Sequence, residues 1–225
     1  MRAGNKNSSV LTIDGPSGSG KGTISKAIAE QLGWHYLDSG AIYRALGIAA
    51  KLNHTDLTSD IALARLAEEI DLEFKPVSTG NWGVFLNGEE VGHQLQLEEV
   101  GDIASKIAIF PKVRESLLAK QQAFQQLPGL VADGRDMGTT VFPNATYKVY
   151  LTASAEERGN RRYKQLIEKG IDANLSNVIE DIEQRDHRDK NRAVSPLEVA
   201  EGALYIDSST LSIKAVIQRV TDLLI

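Results

Sequence analysis

Lys21 lies in the stretch IDGPSGSGKGT, Ile13 to Thr23, among glycines at 15, 18, 20 and 22. An ammonium beside a glycine-rich turn suits one kind of chemistry. Glycine lets backbone approach a polyanion with no side chain in the way, and some turn positions need φ > 0. Successive amides then form an anion nest, a following helix adds its N-terminal partial charge, and the lysine reaches the β- and γ-phosphates. The spacing from Gly15 to Gly20-Lys21 fits the P-loop pattern with one departure, because Gly22 follows the lysine and the hydroxyl comes one residue later, at Thr23. A flexible turn of similar composition would share the glycines, but not the apolar strand before them and the helix after. Gly15, Pro16, Ser17, Gly18, Ser19, Gly20, Lys21, Gly22 and Thr23 are therefore read as the cradle of a nucleotide's phosphates.

Arginines gather elsewhere. Arg44 follows the turn DSG, and Arg135 sits in a loop just after the apolar run of LPGLVADGRD. Arg185, Arg188 and Arg192 stand at i, i+3 and i+7, so one helix face presents three guanidiniums. The same stretch also fits a solvated face with i,i+4 pairs, Asp186 with Lys190 in the favourable order and Arg185 with Asp189 in the less favourable one. Arg158, Arg161 and Arg162 in ERGNRR read, in isolation, as an ordinary charged helix. For Asp14 and Asp38, turn or cap hydrogen bonds and nucleotide contact are both open.

The elements that must position these groups alternate. Val10–Asp14 reads as a buried strand and Ile24–Leu32 as an amphipathic helix; WHYLDSG is a second strand, followed by helical AIYRALGIAAKL. A polar helix is expected over Ser59–Ile70. DLEFKPVSTGNWGVFLNGEEV then alternates apolar and polar residues, with turn signals at Thr79-Gly80-Asn81 and Asn87-Gly88, which predicts a small antiparallel meander. Helical pattern resumes near Leu97 and over Val113–Phe124. LPGLVADGRD, YKVYLTA and ALYIDSS supply three more strands, separated by charged helices over Ala155–Lys169 and Leu175–Asn191, and LSIKAVIQRVTDLL closes the chain as a helix. Strands alternating with helices imply a parallel sheet covered on both faces.

With 225 residues there is room for one well-buried core and a small insertion. A formal charge of −5 argues against a general nucleic-acid binder, though not against a local basic cleft. The lack of cysteine excludes disulfides, thiolate zinc sites and thiol nucleophiles, and favours a reducing compartment. His35, His54, His93 and His187 show no metal-ligand spacing. The polar start MRAGNKNSS precedes an apolar run too short for a signal peptide, and no run reaches the ~18 residues of a membrane span. A cytoplasmic protein without membrane or nucleic-acid polymer as partner is expected, and a monomer, since no apolar heptad asks for a second chain.

The GKGT form of the loop resembles that of the nucleoside monophosphate kinases. Within them, DSGAIYRA and ADGRDMGT resemble the bacterial cytidylate kinases, and RDHRDKNR and DSSTLSI extend the likeness from Leu11 to Leu224. The resemblance implies an α/β P-loop kinase fold: a five-stranded parallel sheet with helices on both faces, in a single domain of residues 1–225. It also implies a CMP-binding insert at about 64–104 and a helical lid at about 155–192. The implied reaction is ATP + CMP → ADP + CDP, with dCMP as second acceptor and Mg²⁺ as the ion. Lys21, Arg135, Arg185, Arg188 and Arg192 become the expected catalytic cations. Arg44, Arg135 and Arg192 are assigned to the CMP phosphate, and Arg185 with Asp189 to its ribose. Asp136 is assigned to cytosine N4, and Arg114 with Ser105 to N3 and O2; Ser39 and Tyr43 would line the pocket. From the lid, Arg158 and Arg162 are expected on ATP. Asp133 is placed like a Walker B acid that holds Mg²⁺ through water, with Thr23 as the direct ligand. Alternatives are a kinase of another small acceptor such as UMP, or a P-loop switch without rapid turnover. The guanine motif NKxD of such switches does not occur after a strand here.

Overall fold

The apolar runs bounded by glycine, proline and aspartate become strands, and the 3.6-periodic stretches become helices. The computed structural model describes residues 8–78, 81–168 and 170–224. In chain order the strands are β1 (Ser9–Asp14), β2 (His35–Asp38), β3 (Leu72–Ser78), β4 (Asn81–Leu86), β5 (Glu89–Glu90), β6 (Gly129–Gly134), β7 (Tyr147–Thr152) and β8 (Leu204–Asp207). The helices are α1 (Lys21–Leu32), α2 (Ser39–Leu52), α3 (Asp60–Glu69), α4 (Glu98–Ile107), α5 (Pro111–Gln122), α6 (Ala155–Glu168), α7 (Leu175–Lys190) and α8 (Ile213–Leu223).

Five strands form one sheet in the order β2-β6-β1-β7-β8, with β1 parallel to both β6 and β7, and β7 parallel to β8. Every residue of β6 is buried, as is nearly all of β1. Such strands read as unbroken apolar runs because both faces are covered. The chain leaves β1 toward β2 on one side and later reaches β7 on the other. The carboxyl end of β1 is therefore a topological switch point, where open α/β sheets bind their ligands.

The chain forms two compact units. One comprises residues 8–37 and 125–224. Its core joins Leu11 and Ile13 of β1, Val131 of β6, Val149 and Leu151 of β7 and Ile206 of β8 to Ile24 and Ile28 of α1 and to Val216 and Val220 of α8. The other spans Asp38–Phe124 and carries the expected meander, a three-stranded antiparallel sheet in the order β3-β4-β5. Leu72 pairs with Leu86 and Phe74 with Val84, and Phe74 meets Phe124 edge-on with ring centroids 5.1 Å apart. The turn expected at Thr79-Gly80-Asn81 falls on residues 79 and 80, outside the described residues, as do residues 1–7 of the polar start.

Helix ends follow local chemistry. Asp38 caps α2 by accepting from the Ala41 amide, Ser59 caps α3 through Ala62, and Ser212 caps α8 through Ala215. Asp38 thus takes the capping role. At the start of β6, Gly129 is packed so closely that a Cβ would stand 2.4 Å from Cδ2 of the Trp34 indole. Gly129→Ala is accordingly expected to destabilise the protein by about 1–3 kcal/mol, the usual cost of overpacking. The shift in urea midpoint measures it, and Trp34→Leu in the alanine background should recover part of the loss.

Candidate active site

The loop after β1 crosses β7 closely: a Cβ on Gly15 would lie 1.9 Å from the carbonyl oxygen of Leu151, so only glycine fits. Gly20 then opens α1 at φ 92, a left-handed conformation that glycine adopts without strain. Helix α1 begins at Lys21, a turn earlier than the apolar periodicity indicates, so the GKGT segment is itself the first helical turn.

Cations engage three carbonyls of this loop. Lys21, 6% exposed, donates from Nζ to the Pro16 carbonyl at 2.9 Å. Arg158 donates from Nη1 to Ser17 O at 2.9 Å, and Arg161 reaches Ser19 O at 3.4 Å. Arg161 also donates to the Ser208 carbonyl at 2.8 Å, and the Ser208 hydroxyl donates to Thr152 O, tying the loop after β8 to the same place. With these carbonyls satisfied by cations, the loop amides are left to serve as donors to an anion. The buried Ser19 Oγ has no hydrogen-bond partner among the described residues, a donor suited to phosphate oxygen.

Arg158 itself is almost fully buried. It forms a two-pronged pair with Asp186, Nη1 to Oδ1 at 3.1 Å and Nη2 to Oδ2 at 2.5 Å, while Nε donates to Ala153 O. Arg162 instead donates to Gln165 on the exposed side of α6. Sequence reasoning paired Asp186 with Lys190 and favoured Arg162 over Arg161. Helical phase shows which arginines share a face, but not which face meets the loop.

The strand ends beside the loop carry carboxylates. Register pairs Ile13 with Asp133 and Asp14 with Gly134. Asp14 accepts from the amides of Met137 and Gly138, both at 2.8 Å, where the chain after β6 makes a single π-type turn over Met137–Val141. Burial pushes the Asp14 carboxyl up to about 7, against the pull of those two amides and of Lys21; Asp136 adds to the rise. Between its hydrogen-bonding and nucleotide-contact alternatives, Asp14 takes the first. Asp133 accepts from the Tyr36 hydroxyl at 2.7 Å. A Cβ on Gly22 would lie 3.6 Å from Asp133 Oδ2, whereas Thr23 is exposed. Successive helical residues point about 100° apart, so both cannot face Asp133. Position 22 is therefore the one that faces the Asp133 carboxylate, and it has no hydroxyl.

Arg135 donates from Nε to Asp189 Oδ2 at 2.7 Å and from Nη1 to the carbonyl of Gly134. Burial alone would raise the Asp189 carboxyl, but Arg135, Arg185 and Arg192 outweigh it and hold the group below the usual carboxylate range. Burial likewise opposes the Arg135 charge, and Asp189, with Asp133 and Asp186, more than restores it. One carboxylate thus gathers three guanidiniums, a surplus of positive charge suited to a phosphate. Helix α7 ends at Lys190 with Asn191 as its cap, so the expected helix face carries Arg185 and the half-buried Arg188 only, and Arg192 lies past the helix end. Asp136, at the head of the π-type turn, is buried.

In the unit of Asp38–Phe124, Arg114 is buried, donates to Ala108 O at 3.2 Å and lies 5.6 Å from the centre of the Tyr43 ring. Arg44 donates to Leu95 O at 3.2 Å, and its buried Nε has no partner among the described residues. The Ser39 hydroxyl donates to Gln121 at 2.7 Å, and Ser105 is buried on α4. Tyr36, Gln121, Arg161 and Asp186 join the expected residues, and the first two carried no spacing signal.

Because the folded Asp14 holds its proton up to about pH 7, stability should rise as pH falls from about 7 toward 4, with a slope of at most about 1.4 kcal/mol per pH unit. That contribution is complete below the unfolded value and lost above pH 7. Urea titrations of wild type and Asp14→Asn across this range measure it, since the difference between the two proteins should move in favour of wild type at the acid end.

The family model described as Cytidylate kinase matches residues 11–224. The cytidylate kinase of Colwellia psychrerythraea strain 34H is 54% identical over 211 residues, covering 94% of this chain and 93% of that one. That of Aeromonas salmonicida strain A449 is 55% identical over 211 residues, covering 94% and 91%. One from Escherichia coli O139:H28 is 56% identical over 211 residues, covering 93% and 92%.

Proposed function

Because this chain belongs to the cytidylate kinase family, we infer that it moves the γ-phosphoryl group of ATP to CMP or dCMP, releasing ADP and CDP or dCDP. The observation that carries this reading is the loop of Gly15–Thr23, backed by Lys21, Arg158 and Arg161, standing where β1 and β6 end beside the Arg135–Asp189 cluster. A phosphate oxygen of CMP, already anionic at neutral pH, attacks the γ-phosphorus, and the bond to the oxygen bridging to the β-phosphorus breaks. No general base is needed. The work is to bring two polyanions together and to stabilise charge spread over the transferred group, which positioned cations do.

Lys21 and the loop amides take the β- and γ-phosphates of ATP, while Arg135, Arg185, Arg188 and Arg192 balance the charge of the transferring group. Arg44, with its buried unpartnered Nε, suits the CMP phosphate together with Arg135 and Arg192. Asp189 holds the arginines and, with Arg185, suits the ribose. Asp136 is the acceptor for the cytosine N4 amine, with Arg114 and Ser105 as donors for N3 and O2. Ser39 and Tyr43 are assigned to the same nucleotide. Such a site rejects uracil, whose polarity is reversed at N3 and position 4, by leaving buried groups unpaired. We assign residues 64–104 to the acceptor-binding insert and 155–192 to the lid, with Arg158 backing the phosphate loop from behind.

Mg²⁺ fits the donor set. Asp133 offers buried carboxylate oxygen at the lysine end of the loop, and Mg²⁺ keeps waters and substrate phosphates as its other ligands. No group of three or more acidic or imidazole side chains among the described residues could hold a metal alone, and an ion that arrives with ATP requires none. Bound there, it would neutralise the β- and γ-phosphate oxygens. Among the described residues no helix is long and apolar enough to cross a membrane.

ADP formation from ATP with CMP, dCMP, UMP and AMP in parallel tests the reading. CMP and dCMP should lead, and faster turnover with UMP would overturn it. Lys21→Met should lower kcat by at least about a hundredfold while leaving the thermal transition in place, the scale seen when one transition-state donor is lost. Asp136→Ala should raise KM for CMP by roughly tenfold or more and leave KM for ATP nearly unchanged, as expected for loss of a charged hydrogen bond of about 1.5–3 kcal/mol. Equal effects on both substrates would take Asp136 out of the CMP pocket.

A further inference from the structure

The residue after a P-loop lysine ordinarily carries the hydroxyl that meets Mg²⁺. Here that residue is Gly22, and the neighbouring hydroxyl of Thr23 is exposed. Another hydroxyl stands beside the space that Gly22 leaves open. A Cβ on Gly22 would lie 3.6 Å from Asp133 Oδ2 and 3.8 Å from the Tyr36 hydroxyl, with nothing nearer, and that hydroxyl donates to the same Asp133 oxygen at 2.7 Å. Tyr36 is 3% exposed, and its ring belongs to the core formed by Ile24, Ile28 and Val131. Lys26, one helical turn after Gly22 on α1, places its ammonium 5.7 Å from the ring centre. The 22/26 face of α1 therefore lies on Tyr36, and the phenol has little freedom.

We propose that Tyr36 is a positioning residue for phosphoryl transfer: from β2 its hydroxyl enters the space that Gly22 leaves open and fixes the Asp133 carboxylate toward the Mg²⁺ end of the loop. A residue 22 without a side chain and a tyrosine on the next strand are then halves of one arrangement. The proposal rests on the kinase reading above, because it gives Asp133 a role toward Mg²⁺. Tyr36 touches neither substrate. It acts through the carboxylate, as partners behind a metal ligand commonly do.

The test uses the full chain as wild type, Tyr36→Phe, Gly22→Ser and the double variant. ADP affinity is measured calorimetrically with EDTA and with Mg²⁺, and the Mg²⁺ concentration for half-maximal CDP formation is measured at saturating ATP and CMP. Tyr36→Phe keeps the ring in the core, so its metal-free ADP affinity should match wild type. The gain in affinity on adding Mg²⁺ should fall by about tenfold, with a matching rise in the Mg²⁺ half-saturation, the size seen for lost partners of metal ligands. Adding Gly22→Ser to Tyr36→Phe should recover most of that loss, because a serine there puts its own hydroxyl beside Asp133. Unchanged Mg²⁺ dependence in Tyr36→Phe, or equal loss of metal-free and Mg²⁺-bound ADP affinity, would overturn the proposal. Should Tyr36→Phe lose its cooperative thermal transition, wild type with isotope-labelled tyrosine Cζ decides: the Tyr36 resonance should move when Mg²⁺ joins the ADP complex, and a resonance that stays put overturns the idea. If wild type makes no CDP from CMP, the kinase reading fails while the ADP arms still decide on Tyr36.

Discussion

The architecture of the site depends on three loop carbonyls being held by cations. A backbone turn can present its amides to an anion only if its carbonyl oxygens are satisfied elsewhere, since buried polar groups without partners are costly. Lys21 takes Pro16 O, Arg158 takes Ser17 O and Arg161 reaches Ser19 O. Two of these cations come from α6, so the charged helix after β7 is a buttress for the loop. Arg158 can be 3% exposed only because its fork is so fully used, on Ala153 O, Ser17 O and both oxygens of Asp186. Removing one partner from a buried pair of this kind typically costs about 3–5 kcal/mol, because the other charge is left behind.

Asp186 and Asp189, one helical turn apart on α7, put the same side chain to opposite electrostatic uses. Asp186 meets Arg158 one to one and yields a neutral, rigid link behind the loop. Asp189 faces Arg135, Arg185 and Arg192, which together keep its carboxyl ionised. There the balance stays positive. A cationic surplus of this kind, inside a chain whose formal charge is −5, suits a phosphate without making the whole surface a polyanion trap.

Much of this was legible in the sequence. Period-two and period-3.6 patterns put most elements within a residue or two of their observed ends, and the glycines of GPSGSGKGT marked the tight loop between β1 and α1. Elements are legible because their hydrophobic period is local. What escaped was non-local or irregular. The π-type turn of Met137–Val141 exists because Asp14, more than a hundred residues earlier, takes its amides, and no periodicity marks it. Asp186 and Asp189 looked like members of i,i+4 pairs, yet their partners come from α6 and from the end of β6. The start of α1 was placed a turn late because glycine-rich GKGT has no apolar phase, although its amides are those a helix N-terminus leaves open.

The arrangement around Asp189 also explains how a site without a general base can exist before its substrate arrives. Guanidiniums close to one another repel, and without a nearby anion that repulsion would favour splaying them apart. Asp189 offsets it: the carboxylate is buried, bonded to Arg135 and close enough to Arg185 and Arg192 to be kept ionised by them. The cations are therefore organised in advance around a small anion that a phosphate can join but not displace, since the carboxylate is covalently part of α7. Organising charge before the reaction, instead of during it, is what makes fixed dipoles and cations effective in stabilising a transition state. Asp189 is in this sense a resident counterion for the three arginines.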